Sequence, residues 1–384
     1  MAGSYLSSVK IILLPILLLT LLNISSPAQV AAGAGGASSS ALFIFGDSYF
    51  DPGNNNYINT TTLDQANFWP YGESYFNKPT GRFSNGRLIS DFVAEYAGQE
   101  LIPPFMEQPE TGDFRRGANF ASAGAGALVD TFRGSVIDLN TQLMYFEKVE
   151  IKLRHDLGEI ISKNIISNAV YLFSIGTNDY LSYFLTNSSA NNLTDFSSFK
   201  PYFSSYVNTV IGNLSNVVKN IYQKGGRKFG FLNLGDLGCL PGLRVLHLES
   251  NGGGCLEAAT LVAKLHNFEL YKLLSKLEHQ LEGFKYSLGD FNRALRQRIK
   301  HPSHFGLKEG RVACCGAGAF KGIFSCGGRR PMVENEFELC QNPQQHVFWD
   351  SYHLTEAVYG QMAAEMWNGS SFAGHYYLQA LFNC

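Results

Sequence analysis

The sequence predicts an α/β fold built on a mostly parallel β-sheet, and two features support this prediction. A continuous apolar run at residues 41–45 and similar, mostly apolar runs at 170–175, 229–234 and, more weakly, 284–288 each end at a glycine that is followed closely by a polar residue. Such runs are typical of strands that are buried on both faces of a sheet. Helical segments separate the runs, and strands that alternate with helices form right-handed βαβ units in a parallel sheet.

Four segments between and beyond these runs have the apolar spacing of amphipathic helices. They cover residues 87–97, 139–157, 202–222 and 255–281. The third is the clearest, with apolar side chains at intervals of three and four residues at Val207, Val210, Ile211, Leu214, Val217, Val218 and Ile221. These helices supply the crossover connections that parallel strands need.

Charge and composition limit the domain organisation and the partners. The 384-residue chain has 30 Lys and Arg against 32 Asp and Glu, a net charge of −2. This balance argues against a nucleic-acid partner, which favours a concentrated basic face. Residues 306–340 are rich in Gly and Cys with little periodicity, and we interpret them as an irregular excursion held by disulfides. We therefore expect a single domain over residues 41–384, of undetermined oligomeric state.

The N-terminal segment is predicted to be a targeting signal. Lys10 precedes an apolar run at residues 11–22, and small residues follow it. The run is too short to span a bilayer comfortably. The pattern therefore favours a cleaved signal peptide over residues 1–28, with a boundary as late as residue 40, rather than a membrane anchor. We expect a secreted, extracellular protein without a transmembrane segment in its mature chain.

The cysteines and glycosylation sequons agree with export. Cysteines of exported proteins mostly pair, and this chain has Cys239, Cys255, Cys314, Cys315, Cys326, Cys340 and Cys384. Cys239 and Cys255 flank one loop and are the favoured pair. Cys314 and Cys315 are expected to pair with Cys326 and Cys340, in an order that the sequence leaves open, and Cys384 is then unpaired. No spacing typical of a zinc site is present. Sequons occur at Asn59, Asn187, Asn192, Asn213 and Asn368.

Ser48 is the candidate nucleophile, because it stands on the first turn after the first predicted strand. Ligands of open parallel sheets bind outside the carboxyl ends of the strands. A serine needs a base to remove its proton, and the base needs a third group to orient it. Asp350 and His353 suit these roles, because an acid three residues before a histidine can reach the imidazole Nδ1–H within one turn. The alternatives are a helix-capping serine and a solvated histidine.

Two further segments suit an oxyanion hole. Residues 118–126 form a run of small residues whose backbone N–H groups can approach a substrate closely. Asn178, in Gly176-Thr177-Asn178-Asp179, follows the second predicted strand and offers an uncharged amide donor. Each segment has a structural alternative, which is tight packing for the first and an Asx turn for the second.

In this order and spacing, the segments resemble the GDSL lipase/esterase family of the SGNH hydrolase superfamily, in particular its secreted plant branch. Residues 43–48 (FIFGDS), 51–56 (DPGNNN) and 79–87 (PTGRFSNGR) carry the resemblance, and residues 119–126, 176–179 and 350–356 complete it. It extends from about residue 41 to near the C-terminus. Tyr49, Pro52 and Leu354 depart from the usual leucine, alanine and proline of the family, which affects the expected substrate preference more than catalysis.

The resemblance implies a three-layer α/β/α sandwich around a flavodoxin-like sheet of about five strands. It implies Ser48 as nucleophile and oxyanion donor, Gly124 and Asn178 as further donors, and His353 as a base oriented by Asp350.

The implied activity is ester hydrolysis through an acyl-enzyme, without cofactor or metal, in the apoplast or cell wall of a plant. The same motifs are compatible with an acyltransferase, and a non-catalytic binding or defence protein is a further alternative. The natural ester is left open.

Overall fold

The computed structural model describes residues 40–187, 196–246, 248, 252–328, 336–369, 372–373 and 376–383. The segment predicted as a signal peptide, Asn192 and Cys384 lie outside these residues. Within the described residues, no helix combines the length and apolar character that a membrane span requires.

Five parallel strands and one short antiparallel strand form the central sheet. In chain order the strands are β1 (Leu42–Gly46), β2 (Gly117–Asn119), β3 (Val170–Ser174), β4 (Lys228–Leu232), β5 (Lys285–Gly289) and β8 (Phe372–Ala373). Their spatial order is β2-β1-β3-β4-β5-β8, and only β8 is antiparallel to its neighbour. The predicted α/β fold with a mostly parallel sheet is confirmed.

Ten helices are described around the sheet. They are α1 (Ile89–Tyr96), α2 (Leu139–Leu157), α3 (Glu159–Asn168), α4 (Thr177–Thr186), α5 (Phe196–Gln223), α6 (Pro241–Val245), α7 (Glu257–Gln280), α8 (Phe291–Lys300), α9 (Glu356–Asn368) and α10 (Leu378–Asn383). Helices α2, α3, α5 and α7 pack along one another, and α1, α9 and α10 form a second group. The four predicted helices all appear, and α2 has the predicted bounds.

The two faces of the sheet are packed differently, which separates the two helical layers. On one face, Phe43, Tyr171 and Phe229 stack across three adjacent strands, and Phe146 of α2 meets the first two edge-on. On the other face, Gly230 leaves room for side chains of α9 and α10. Side chains alternate between the faces along a strand, so the apolar runs of the sequence bury both faces at once.

Two strands of the sheet have no sequence signal. Residues 118–126 are interpreted as a loop from sequence, but the first two of them belong to β2, which pairs with β1 at the sheet edge. Strand β8 has two residues and pairs with β5. Strands this short show no periodicity, and their pairing depends on neighbours that are distant in the sequence.

Three disulfides hold the segment before the C-terminal helices and the loop after β4. Cys314 pairs with Cys340 and Cys315 with Cys326, which resolves the order that the sequence leaves open. Cys239 pairs with Cys255, the pair that their loop favours. In the irregular excursion, Cys315–Gly316 (β6) and Glu338–Leu339 (β7) form a two-stranded antiparallel ladder. The predicted structural disulfides are confirmed.

Candidate active site

Strand β1 presents Ser48 at the carboxyl edge of the sheet. Gly46 ends the strand with φ 157°, and a Cβ there would collide with the carbonyl oxygen of Ser174 in the adjacent strand. The buried side chain of Gln142 forms two hydrogen bonds with Gly46. Its Oε1 accepts the Gly46 N–H at 2.8 Å, and its Nε2 donates to the Gly46 carbonyl at 2.9 Å. The turn is therefore held on two sides, and Ser48 follows it with only 8% of its surface exposed.

Asp350, His353 and Ser48 form a continuous line of hydrogen bonds. The His353 Nε2 atom lies 2.8 Å from Ser48 Oγ, although 305 residues separate them in the sequence. The Nδ1 atom lies 2.7 and 2.9 Å from the two Asp350 carboxylate oxygens. Nδ1–H donating to the carboxylate leaves Nε2 as the acceptor for the serine hydroxyl. The structure thus brings the three candidate catalytic residues together.

The Asp350 carboxylate is buried but well supplied with donors. Besides the imidazole, it accepts the backbone N–H groups of Tyr352 and His353 at 2.9 Å and the Tyr71 hydroxyl at 2.7 Å. Burial alone would raise the pKa of Asp350, but the adjacent His353 and the accepted hydrogen bonds hold that pKa below its usual value. The carboxylate therefore stays ionised beside the imidazole.

Aromatic rings fix the orientation of the imidazole. Phe83 lies 4.5 Å from the His353 ring, centroid to centroid, and Tyr49 meets it edge-on at 6.0 Å. The Tyr49 hydroxyl also donates to the Tyr352 carbonyl at 3.1 Å. A leucine at residue 49 could not make this bond, so the departure from the family motif adds a link between the serine turn and the histidine loop.

Three candidate oxyanion donors belong to residues that line one cavity. Gly124 and Asn178 line this cavity together with the serine. In the described part of the chain, the backbone N–H groups of Ser48 and Gly124 donate to no protein acceptor. The Asn178 amide donates one hydrogen to the Ala125 carbonyl at 3.0 Å, which leaves its second hydrogen available. Such a set of donors can stabilise an oxyanion.

A network of buried polar side chains holds the loop that carries Gly124. Asn54 donates to the Asn119 and Ala121 carbonyls, and Asn55 donates to the Ala123 carbonyl at 2.9 Å. The Asp51 carboxylate accepts the Ala123 N–H at 2.8 Å. The block of residues 51–56 therefore positions the small-residue loop rather than meeting the substrate.

Asp179 anchors the other end of that loop. It accepts the Ala127 and Leu128 N–H groups at 2.8 and 3.0 Å and the Thr131 hydroxyl at 2.6 Å. Burial raises the pKa of Asp179 to about 6, against the lowering effect of these donors. Asp179 follows Asn178 directly, so helix α4 both supplies an amide donor and ties down the neighbouring loop.

Sequence reasoning missed Tyr71 and Asp179 as parts of the site. Tyr71 is fully buried beside Trp349 and reaches Asp350 across 279 residues of chain. No local pattern marks a tyrosine as the partner of a distant carboxylate. Asp179 lies in the segment of residues 176–179 that carries part of the family resemblance, and this position could have indicated its role from the sequence.

Four of the five sequon asparagines lie among the described residues. Asn59 and Asn368 are exposed, while Asn187 and Asn213 are half-buried. Glycosylation at all five positions stays a prediction. Among the described residues, no group of three or more His, Cys, Asp or Glu side chains is arranged to hold a metal ion.

Comparison with known sequences identifies the family of this chain. A profile of the GDSL-like lipase/acylhydrolase family matches residues 42–366. The chain belongs to this family. It is 54% identical to GDSL esterase/lipase 5 of Arabidopsis thaliana over 89% of this chain and 87% of the relative. It is 49% identical to GDSL esterase/lipase 1 of the same plant over 89% and 90%, and 47% identical to the GDSL lipase of Tanacetum cinerariifolium over 89% and 87%.

As a GDSL lipase/acylhydrolase, the chain is a carboxylic ester hydrolase. The second plant-type block, residues 79–87, acts in this enzyme as a brace for the histidine loop. Asn85 accepts the N–H of Glu356 at 2.8 Å where α9 begins, and Arg87 pairs with the Glu356 carboxylate at 2.7 Å. Helix α9 starts three residues after His353, so these contacts fix the chain that carries the imidazole.

Proposed function

We propose that this enzyme hydrolyses esters through an acyl-enzyme on Ser48, with His353 as the base and Asp350 as its orienting acid. The observation that carries the proposal is the unbroken line of hydrogen bonds from Asp350 through His353 to Ser48, which opens onto a cavity of about 420 Å³. A hydroxyl held at 2.8 Å from an oriented imidazole can lose its proton as it attacks.

The reaction proceeds in two matched halves. Ser48 Oγ attacks the ester carbonyl carbon while its proton passes to His353 Nε2. The C–O bond of the leaving alcohol then breaks, and His353 returns the proton to the departing oxygen. In the second half, water attacks the carbonyl carbon of the acyl-enzyme while His353 takes one proton of that water. The bond between the acyl carbon and Ser48 Oγ then breaks, and His353 returns the proton to Oγ. In both halves, the N–H groups of Ser48 and Gly124 and the Asn178 amide stabilise the negative oxygen.

Covalent trapping tests this proposal directly. An alkyl fluorophosphonate should phosphonylate Ser48 and abolish esterase activity, because the His353 imidazole lies within hydrogen-bond distance of that hydroxyl. Peptide mapping by mass spectrometry should find the adduct on Ser48 and none on Ser135, a second serine that lines the same cavity. An adduct on Ser135 alone, or full activity after stoichiometric labelling of Ser48, would reject the mechanism.

The cavity favours an ester with an apolar acyl group. Asn178, Leu181 and Leu185 all line it, and their spacing of three and four residues places them on one face of α4. From Asn178 to Leu185 this face extends about 10 Å at the α-helical rise. Phe132 and Phe324 add apolar surface. We propose that the acyl chain lies along this face of α4 and runs from the oxyanion donors towards Leu185.

Replacing Leu185 should therefore change selectivity for acyl length. Leu185→Trp is expected to lower kcat/KM for an octanoyl aryl ester by about tenfold, because the indole fills the outer end of the cavity. The acetyl ester should be hardly affected. Ile160→Trp is the matched control, since Ile160 is 78% exposed on α3 and does not line the cavity. An unchanged ratio of the two esters in Leu185→Trp would place the acyl chain elsewhere.

We also propose that the enzyme is exported and acts outside the cell. Its three disulfides are typical of proteins that fold in an oxidising compartment. The predicted signal peptide over residues 1–28 and the sequons support the same proposal, and the plant relatives suggest the apoplast or cell wall as the compartment.

A further inference from the structure

A second cavity, of about 640 Å³, lies between the loop after β4 and helices α7 and α8. It shares no lining residue with the cavity around Ser48. We refer to it as the basic cavity, because five cationic side chains line it against the carboxylates of Asp236 and Glu257. The cations are Arg244, Lys264, Arg296, Lys300 and Arg311.

The two carboxylates that line the cavity, Asp236 and Glu257, are too few to neutralise its five cations. Asp236 is already committed, since it pairs with Arg296 at 2.9 Å and accepts the Thr260 hydroxyl at 2.7 Å. Glu309 lies nearby, but its carboxylate accepts the backbone N–H groups of Arg311 and Val312. Within the described ranges, the other four cations of the basic cavity form no ion pair with a carboxylate.

Arg244 is the most unusual of these cations, because only 4% of its surface is exposed. Its Nε donates to the Cys239 carbonyl at 2.9 Å and its Nη1 to the Gly253 carbonyl at 3.0 Å. A guanidinium has five N–H donors, so the group is held in place with donors to spare. Burial and the repulsion of Arg311 lower the pKa of Arg244 to about 10, which still leaves it charged at neutral pH.

A strained aromatic residue holds Arg244 and Arg311 together. The guanidinium carbons of the two arginines lie 5.9 and 5.5 Å from the centroid of the Phe320 ring. Phe320 has φ 57°, in the left-handed region that is costly for a non-glycine residue. The ring also packs on Gly253, where a Cβ would collide with it. The fold thus keeps two like charges beside one ring, and an anion in contact with both would offset their repulsion.

We propose that the basic cavity binds a small polyanion bearing two or more phosphate or carboxylate groups. Arg244 and Arg311 present planar donor pairs suited to bidentate contact with an oxyanion. Lys264 and Lys300 add point charges at the rim. The volume exceeds that of a single phosphate and lies within the range of small-molecule sites.

Calorimetric titration of the enzyme without its signal segment tests this site, with inorganic pyrophosphate and citrate as probes at constant ionic strength. Saturable binding of one molecule per chain is expected for at least one probe, and the preferred probe identifies the phosphate or carboxylate class. Arg311→Gln should weaken binding by about tenfold or more, the usual effect of losing charged hydrogen bonds. Arg311 is exposed, so this variant should fold.

The matched control is Arg293→Gln. Arg293 is an exposed cation on α8, the helix that carries Arg296 and Lys300, but it does not line the basic cavity. The Arg293→Gln substitution removes the same charge as Arg311→Gln and should leave the affinity for the probe unchanged. Esterase activity of both variants should equal that of the parent enzyme and confirms the fold. No saturable binding of either probe, or equal weakening by Arg293→Gln and Arg311→Gln, would overturn the proposal.

Discussion

Replacing Ser48 by Ala should lower turnover of a short-chain aryl ester by about 10⁴-fold to 10⁶-fold, and His353→Ala should have an effect of similar size. Nucleophile and base act as one unit, so the loss of either forfeits nearly the whole covalent route. For the same reason, the double variant Ser48→Ala/His353→Ala should be little worse than either single one. The measurement is steady-state turnover by purified enzyme without its signal segment.

Ser135→Ala is the control for this prediction. Ser135 lines the same cavity but belongs to no hydrogen-bonded line to a histidine in the described residues, so its variant should retain turnover. Circular dichroism should show that all variants keep the fold. Near-normal turnover by Ser48→Ala would reject the proposed mechanism, whatever family the chain belongs to. Multiplicative losses in the double variant would show that the two residues act in separate steps.

Asp350→Asn should reduce turnover by about 10⁴-fold while the protein still folds. The neutral amide cannot stabilise the imidazolium that forms when His353 takes the serine proton, and its NH₂ group favours the wrong imidazole tautomer. Asp130→Asn is the matched control, because the Asp130 carboxylate is 88% exposed. Normal turnover by Asp350→Asn would mean that the carboxylate shapes the loop only, through the N–H groups of Tyr352 and His353.

Tyr71→Phe separates the contributions to that carboxylate. The substitution removes the hydrogen bond that the Tyr71 hydroxyl donates to Asp350 and keeps the ring packed against Trp349. The expected loss is about tenfold to a hundredfold, since one hydrogen bond to a charged group is lost and the ionised acid remains. An effect as large as that of Asp350→Asn would give Tyr71 more than a positioning role.

Sequence reasoning predicted the main strands and helices well, because each is dominated by local pattern. Residues 41–45 are apolar throughout and residues 170–175 are interrupted by Ser174 alone, a pattern that fits a strand buried on both faces. Helix α2 has its predicted bounds because Asp138 caps its first turn, accepting the N–H groups of Asn140 and Thr141. Strand β2 escaped prediction because its three residues carry no period and depend on β1 for pairing.

The sequence by itself determined which chemical groups are present: a serine after a strand, an acid and a histidine three residues apart, and an amide after a second strand. Only the tertiary structure decided what those groups meet. The bond from Tyr71 to Asp350, the ring of Phe83 on the imidazole and the pair of cations on Phe320 each join residues far apart in the chain. Such contacts depend on the register and packing of whole elements, which local patterns do not encode.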